Sequence, residues 1–230
     1  MKKIFALMLL AGLLSLGISS YTTVSINPIL KKTVHYFGPK IMGSSVQLED
    51  AKLSTLSGYG TLRNLYIANP PSFPRGNCLQ IGRVDLDIDP STIGTGVVTI
   101  NTLTIRGLDV AYREQKNVSN VAAIVKTLRQ KLPEKRTYPP NPSEEIDYKK
   151  IIGNRYIIKD IVVTTPSVSG FLPKPQRANY SVIMDDMHFS NIGTHEHGIP
   201  FLVALEQILS QIESHVEYEV MKTHVLYKDE

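Results

Sequence analysis

The stretch that decides the fold is Leu79–Asp89, Leu-Gln-Ile-Gly-Arg-Val-Asp-Leu-Asp-Ile-Asp. Leu79 and Ile81 stand at odd positions. Beyond Gly82-Arg83 the apolar set moves to even ones, Val84, Leu86 and Ile88, with Asp85, Asp87 and Asp89 between them. Alternation with period two predicts a half-buried strand. A one-residue slip sends every later side chain to the other face, so a strand that keeps one buried face has to absorb the slip. A bulge does this by adding one residue and bending the strand.

The same change of parity recurs through the chain. Val46 and Leu48 give way to Ala51 and Leu53 across Glu49-Asp50, and Leu62 gives way to Leu65 and Ile67 across Arg63-Asn64. Leu103 and Ile105 give way to Leu108 and Val110 across Arg106-Gly107. Tyr156 and Ile158 give way to Ile161 and Val163 across Lys159-Asp160. Bulges at similar depth in neighbouring strands would fold a sheet along a line. The expected class is therefore α+β, a bent antiparallel β-sheet of about six strands forming a gutter with an apolar concave face. The short connections among Val46–Leu56, Thr61–Ala68, Leu79–Asp89 and Val97–Tyr112 favour an antiparallel meander. Ser57-Gly58-Tyr59-Gly60 supplies the first hairpin turn. Arg155–Thr165 and Asn179–Asn191 read as further strands.

Helices punctuate this β pattern. Asn27 and Pro28 open an amphipathic helix carrying Ile29, Leu30, Val34 and Phe37, which Gly38-Pro39 is expected to stop. Ser119 caps a second helix with Val121, Ile124, Val125, Leu128 and Leu132 on one face. Pro200 opens a third with Phe201, Leu202, Leu205, Ile208, Leu209 and Ile212, followed by an acidic stretch with Glu213, Glu217 and Glu219. Residues 133–148 form a Pro-rich linker.

The chain has 230 residues, 42% of them apolar and 20% charged, which suits one ordinary folded domain. The net charge is only +4, half of it from Lys2 and Lys3, so no nucleic-acid partner is expected. Residues 1–24 read as a signal peptide or a membrane anchor. The apolar run Ile4–Ile18 has signal-peptide length, yet no charge interrupts Ile4–Leu30. Either form places the body, residues 25–230, beyond a membrane; in a bacterium that is the periplasmic side of the inner membrane, with an exported soluble form if the segment is cut.

Chemistry-bearing motifs are few. A single cysteine, Cys78, excludes an internal disulfide framework and multi-Cys metal sites. His195-Glu196-His197 could supply two imidazoles and a carboxylate to zinc, but no spacing fixes a third ligand, and a polar loop before Pro200 explains the segment more simply. Asp85-x-Asp87-x-Asp89 resembles the start of a calcium loop but lacks its later Gly and Glu. No nucleophile elbow, phosphate loop or dinucleotide fingerprint is present. The chain reads as a non-enzyme without a cofactor.

Ile26-Asn27-Pro28-Ile29-Leu30-Lys31-Lys32, then Tyr36-Phe37-Gly38-Pro39-Lys40-Ile41-Met42-Gly43, resembles the beginning of bacterial AsmA-like proteins. Leu53–Gly60, Leu62-Arg63-Asn64-Leu65-Tyr66-Ile67-Ala68-Asn69-Pro70, Thr102–Ile105, Ser119-Asn120-Val121 and Met187–Gly193 extend the resemblance in order. It implies an envelope protein related to bridge-like lipid-transfer proteins, anchored in the inner membrane, sheltering acyl chains in a β-gutter and serving lipid transport or outer-membrane maintenance. It implies no catalytic residue. The expected groove wall is Val84, Leu86, Ile88, Leu103, Ile105 and Ile161. Six strands at about 4.8 Å make a groove of only about 30 Å, so the chain would stack with copies or with an envelope protein partner, or hand lipid onward. The alternative is an envelope scaffold or assembly subunit with a filled core that binds proteins and no lipid.

Overall fold

In the computed structural model, which describes residues 27–132, 155–171 and 178–226, the apolar alternation produces the expected sheet. β1 (Val46–Leu53), β2 (Tyr59–Ala68), β3 (Asn77–Ile88) and β4 (Val97–Ala111) form an antiparallel meander. After the two-residue strands β5 (Glu114–Gln115) and β6 (Val118–Ser119), the chain returns as β7 (Arg155–Thr164) beside β4. β8 (Ser167–Phe171), β9 (Asn179–Ile183), β10 (Met187–Ile192) and β11 (Ile199–Pro200) complete it. The fold is α+β, a curled half-barrel sheet in the order β1-β2-β3-β4-β7-β10. β8 and β9 prolong β7 and β10 past a break, so six long strands are built from eight pieces.

One pairing departs from the antiparallel expectation: β4 and β7 are parallel, as are β4 and β8. Parallel neighbours need a long crossover, usually helical. The segment after β4 supplies the helix: α2 (Asn120–Arg129) follows α1 (Asn27–Met42) and precedes α3 (Phe201–Leu226). Short connections thus predict the meander correctly and say nothing about a return over more than forty residues.

The parity changes share a physical origin, and it differs from a bulge. Pairing skips one row, with Glu49 facing Asn64, Asn64 facing Gly82 and Gly82 facing Gly107, and the register is identical on both sides of the gap. The line continues to Thr165, because Arg106 lies beside Thr164 and Asp109 beside Ser167 at the same offset. A bulge lengthens one strand and shifts its register. Here every strand gives up the same row, so all change parity together. Asn64, Gly107 and Thr165 turn the chain there with φ of 52°, 63° and 50°. A second, shorter line runs through Asn101, Lys159 and Asn191, the last with φ 61°. True register shifts occur at Ile67/Ala68 and Asp87/Ile88.

Because the rows switch together, one face stays apolar throughout. Val46, Ile67, Leu79, Val110 and Val168 form one buried cross-strand row, and Ala51, Val84, Ile105, Val163 and Met187 lie in another beyond the break. Val121, Ile124, Val125 and Leu128 of α2, with Ala204, Ile208, Leu209, Ile212, Val216 and Val220 of α3, join these strands in a single core. Each fully buried side chain of this kind contributes about 1.5–3 kcal/mol relative to exposure. Ser119 caps α2 by accepting from the Ala122 N–H at 3.0 Å, and its own hydroxyl donates to Glu217.

Three helix ends differ from expectation: α2 stops at Arg129, short of Leu132, and two others run on. α1 runs through Gly38-Pro39 to Met42. Gly38 is there for proximity, since a Cβ at that position would sit 2.5 Å from Val46 Cβ. α3 includes Glu213, Glu217 and Glu219, because Val216, Val220 and Thr223 continue its buried face past the acidic residues. The 1–24 segment and the 133–148 linker lie outside the described residues.

Candidate functional site

The six expected wall residues share one face of the curled sheet. Leu86 lies opposite Leu103, which runs beside Ile161; Val84 lies opposite Ile105; Ile88 lies opposite Ile100 in the next row. Four of them are sealed. Val84, Ile88, Ile105 and Ile161 are 7%, 3%, 5% and 0% exposed and belong to the core that α2 and α3 complete.

Leu86 and Leu103 stay partly exposed while packing against that core. Leu53 and Leu62, outside the expected wall, do the same. The register joins them: Leu53 faces Gly60, Gly60 faces Leu86, and Leu62 faces Val84. Gly60, expected only as a turn residue, lies within β2. A Cβ there would approach Leu53 Cδ1 to 2.9 Å and Leu86 Cδ1 to 3.3 Å, so the two leucines converge over the glycine. Glycine inside a strand marks such a close approach, and this was the signal in the sequence that could have added Leu53 to the wall. Leu53, Leu62, Leu86 and Leu103 are therefore partly exposed members of this face on β1 to β4, beside Val84, Ile88 and Ile105, which are sealed on the same strands. Near by, Val34 of α1 packs with Leu48 and Ala51.

The polar motifs resolve into structural roles. His195 and His197 are both exposed, in a turn closed by the Gly198 N–H donating to the Gly193 carbonyl at 2.8 Å. Arg155 holds that turn, with Nε donating to the Gly198 carbonyl at 2.8 Å and Nη2 to the Glu196 carbonyl at 2.9 Å. Among the described residues no three His, Cys, Asp or Glu side chains gather as a metal site. Asp85 pairs with Arg83 and Arg106. Asp89 caps the 3-10 turn Pro90–Thr92, and its bonds from the Ser91 hydroxyl and N–H hold its carboxyl below the ordinary value. Cys78 is fully buried, and burial pushes its thiol up to about 12, the opposite of an activated nucleophile.

Asn69-Pro70 and Ser119-Asn120-Val121, two of the segments that carry the family resemblance, meet in space. Asn120 is fully buried; its amide donates to Asn69 Oδ1 and the Ala111 carbonyl, each at 2.7 Å. Its carbonyl oxygen accepts from the Arg113 and Val121 N–H groups at 3.0 and 3.1 Å. This one side chain uses all four of its hydrogen-bonding positions to tie the β2–β3 loop, the end of β4 and the start of α2 together.

Among the described residues no helix is long and apolar enough to cross a membrane. Compared with known proteins, the chain has no significant match to a family model, a curated protein or a solved structure.

Proposed function

We propose that the partly exposed leucine patch, Leu53, Leu62, Leu86 and Leu103, receives a lipid acyl chain, in a protein of AsmA-like character held at the inner membrane and facing the periplasm. The observation that carries this reading is the incomplete burial of these four leucines on an otherwise sealed apolar face. Each methylene removed from water contributes about 0.8 kcal/mol, so a short apolar row can hold part of a chain without polar specificity. The stretch is too small for a groove that spans an envelope; it suits loading, handover or stacking with another gutter.

The sealing of Val84, Ile88, Ile105 and Ile161 favours a second reading, an envelope scaffold with a filled core that binds proteins and no lipid. Mass spectrometry of lipids retained by the full chain separates the two, comparing wild type with Leu86→Asp and Leu103→Asp and using thermal unfolding to select folded variants. The first reading expects a stoichiometric acyl lipid that both variants lose. Equal lipid in all three, or none in wild type alongside a stoichiometric protein partner, overturns it.

A further inference from the structure

The skipped row leaves a belt on the convex face, and its neighbouring row carries an unusual arrangement. The register sets Arg63 opposite Arg83 and Arg83 opposite Arg106 on three adjacent strands. Directly opposed side chains lie about 4.5–5.5 Å apart at Cβ, and like charges so placed destabilise a sheet. One carboxylate relieves part of this. Arg83 Nε donates to Asp85 Oδ1 at 2.7 Å, and Arg106 Nε donates to Asp85 Oδ2 at 3.2 Å. Arg63 has no hydrogen-bond or ion-pair partner among the described residues, although Asp50 faces it across the ladder.

Asp85 thereby aligns two guanidiniums side by side and leaves most of their N–H donors, and all of Arg63's, facing solvent. Each guanidinium carries five donors in a fork that matches phosphate oxygens. Gly82 and Gly107, which adjoin Arg83 and Arg106, have no side chains, and only backbone atoms lie within 4 Å of where their Cβ atoms would be. The row is open on that flank.

We infer that Arg63, Arg83 and Arg106 bind a compact phosphate-bearing molecule, with Asp85 as a positioning residue. The size follows from the surroundings. Glu49-Asp50 lies at one end of the belt and Asp185-Asp186 at the other, all four at least partly exposed. A broad anionic surface laid along the belt would meet these carboxylates, whereas an anion confined to three strands, about 10 Å across, meets the three arginines and one carboxylate, Asp85, that two of them already neutralise. The chemistry is shared by a phosphorylated lipid headgroup and a free polyphosphate. This site is on the face opposite the leucine row and does not depend on the acyl-chain reading.

The test is calorimetric titration of the full chain in neutral detergent micelles, with tripolyphosphate in one arm and phosphatidic acid doped into the micelles in the other, against phosphatidylcholine. Arg63→Gln and Arg83→Gln are each expected to weaken the bound probe about tenfold, the loss of one charge-assisted fork. Arg75→Gln, a cation of the β2–β3 loop, should leave binding unchanged. Arg63→Gln should also melt close to wild type, because the relief of repulsion from Arg83 offsets the lost attraction to Asp50 across the ladder. A response to tripolyphosphate alone identifies a free ligand, to phosphatidic acid alone a headgroup, and to both the shared site. Binding in neither arm, equal weakening by Arg75→Gln, or an unaffected Arg63→Gln overturns the inference.

Discussion

If the skipped row bends every strand through local backbone geometry, substitutions along it must follow φ and not side-chain chemistry. Gly107 sits at φ 63°, and a Cβ there would meet nothing closer than the Gly82 nitrogen at 4.0 Å. Gly107→Ala therefore carries no clash, only the left-handed conformation, which costs an ordinary residue about 1–2 kcal/mol. The smaller entropy of the unfolded chain returns about 0.4–1 kcal/mol, for a net loss of about 1 kcal/mol. Thr165, at φ 50°, is the same situation with a β-branched residue already in place. Its N–H bond to Asp186, at 2.8 Å, is made by the backbone and survives substitution. Thr165→Gly should stabilise by a similar amount. Gly82 occupies the same row outside the left-handed region, and its added Cβ would touch the Arg106 carbonyl at an ordinary 3.4 Å. Gly82→Ala should change stability by under about 0.5 kcal/mol. For a chain of this size 1 kcal/mol moves the melting point by about 2–4 °C. Thermal melts followed by far-UV circular dichroism should rank Thr165→Gly above wild type, Gly82→Ala level with it and Gly107→Ala below. Equal shifts for the two glycines, or a fall for Thr165→Gly, would refute local geometry as the cause of the line.

Other expectations follow from the polar contacts. Asn120→Ala strands the Arg113 and Val121 N–H groups and should cost about 2–4 kcal/mol, with denaturant unfolding as the measure and faster hydrogen exchange at those two amides as the local signature. Cys78, with its thiol pushed up to about 12 by burial, should resist alkylation at pH 8.5 in the native chain and react at the free-thiol rate in urea. Native labelling as fast as in urea would place the thiol at the surface. The Asp89 carboxyl is held low by Ser91, so the turn's stabilisation is whole above the ordinary aspartate range and fades as pH falls through the lowered value. The Ser91 amide resonance should follow that titration and lose it in Asp89→Asn.

Much of this architecture is legible in the linear pattern, because a change of parity can be seen without knowing any partner. Glu49-Asp50, Arg63-Asn64, Gly82-Arg83 and Arg106-Gly107 are each visible on their own. That they lie on one line is a property of register, which depends on pairing and not on composition. The break at Thr165 is hidden because the apolar alternation is followed only as far as Thr165 and Ser167–Phe171 is not expected as a strand, and Asn179–Asn191 reads as one strand because Met184 and Met187 are both apolar across the gap. The β4–β7 pair was hidden for a different reason: nothing local in Val97–Ala111 distinguishes a parallel from an antiparallel neighbour. The groove wall was half legible. Alternation put the six residues on the right face, but whether a residue on that face is sealed depends on where α2 and α3 lie, and helical periodicity sets which side of a helix packs without saying what it covers.

The parallel pair also dictates an order of events during synthesis. Once Ala111 has emerged from the ribosome, strands β1 to β4 hold every hairpin contact they need, and β4 presents its outer backbone to water. Its partner runs from Arg155 to Thr164, so it is complete only about fifty residues later. At about 5–20 residues per second, the exposed edge waits several seconds. An edge in that state is a template for any extended segment, so this chain is most vulnerable to a foreign strand while still growing, and a holding chaperone protects it more than added native stability would.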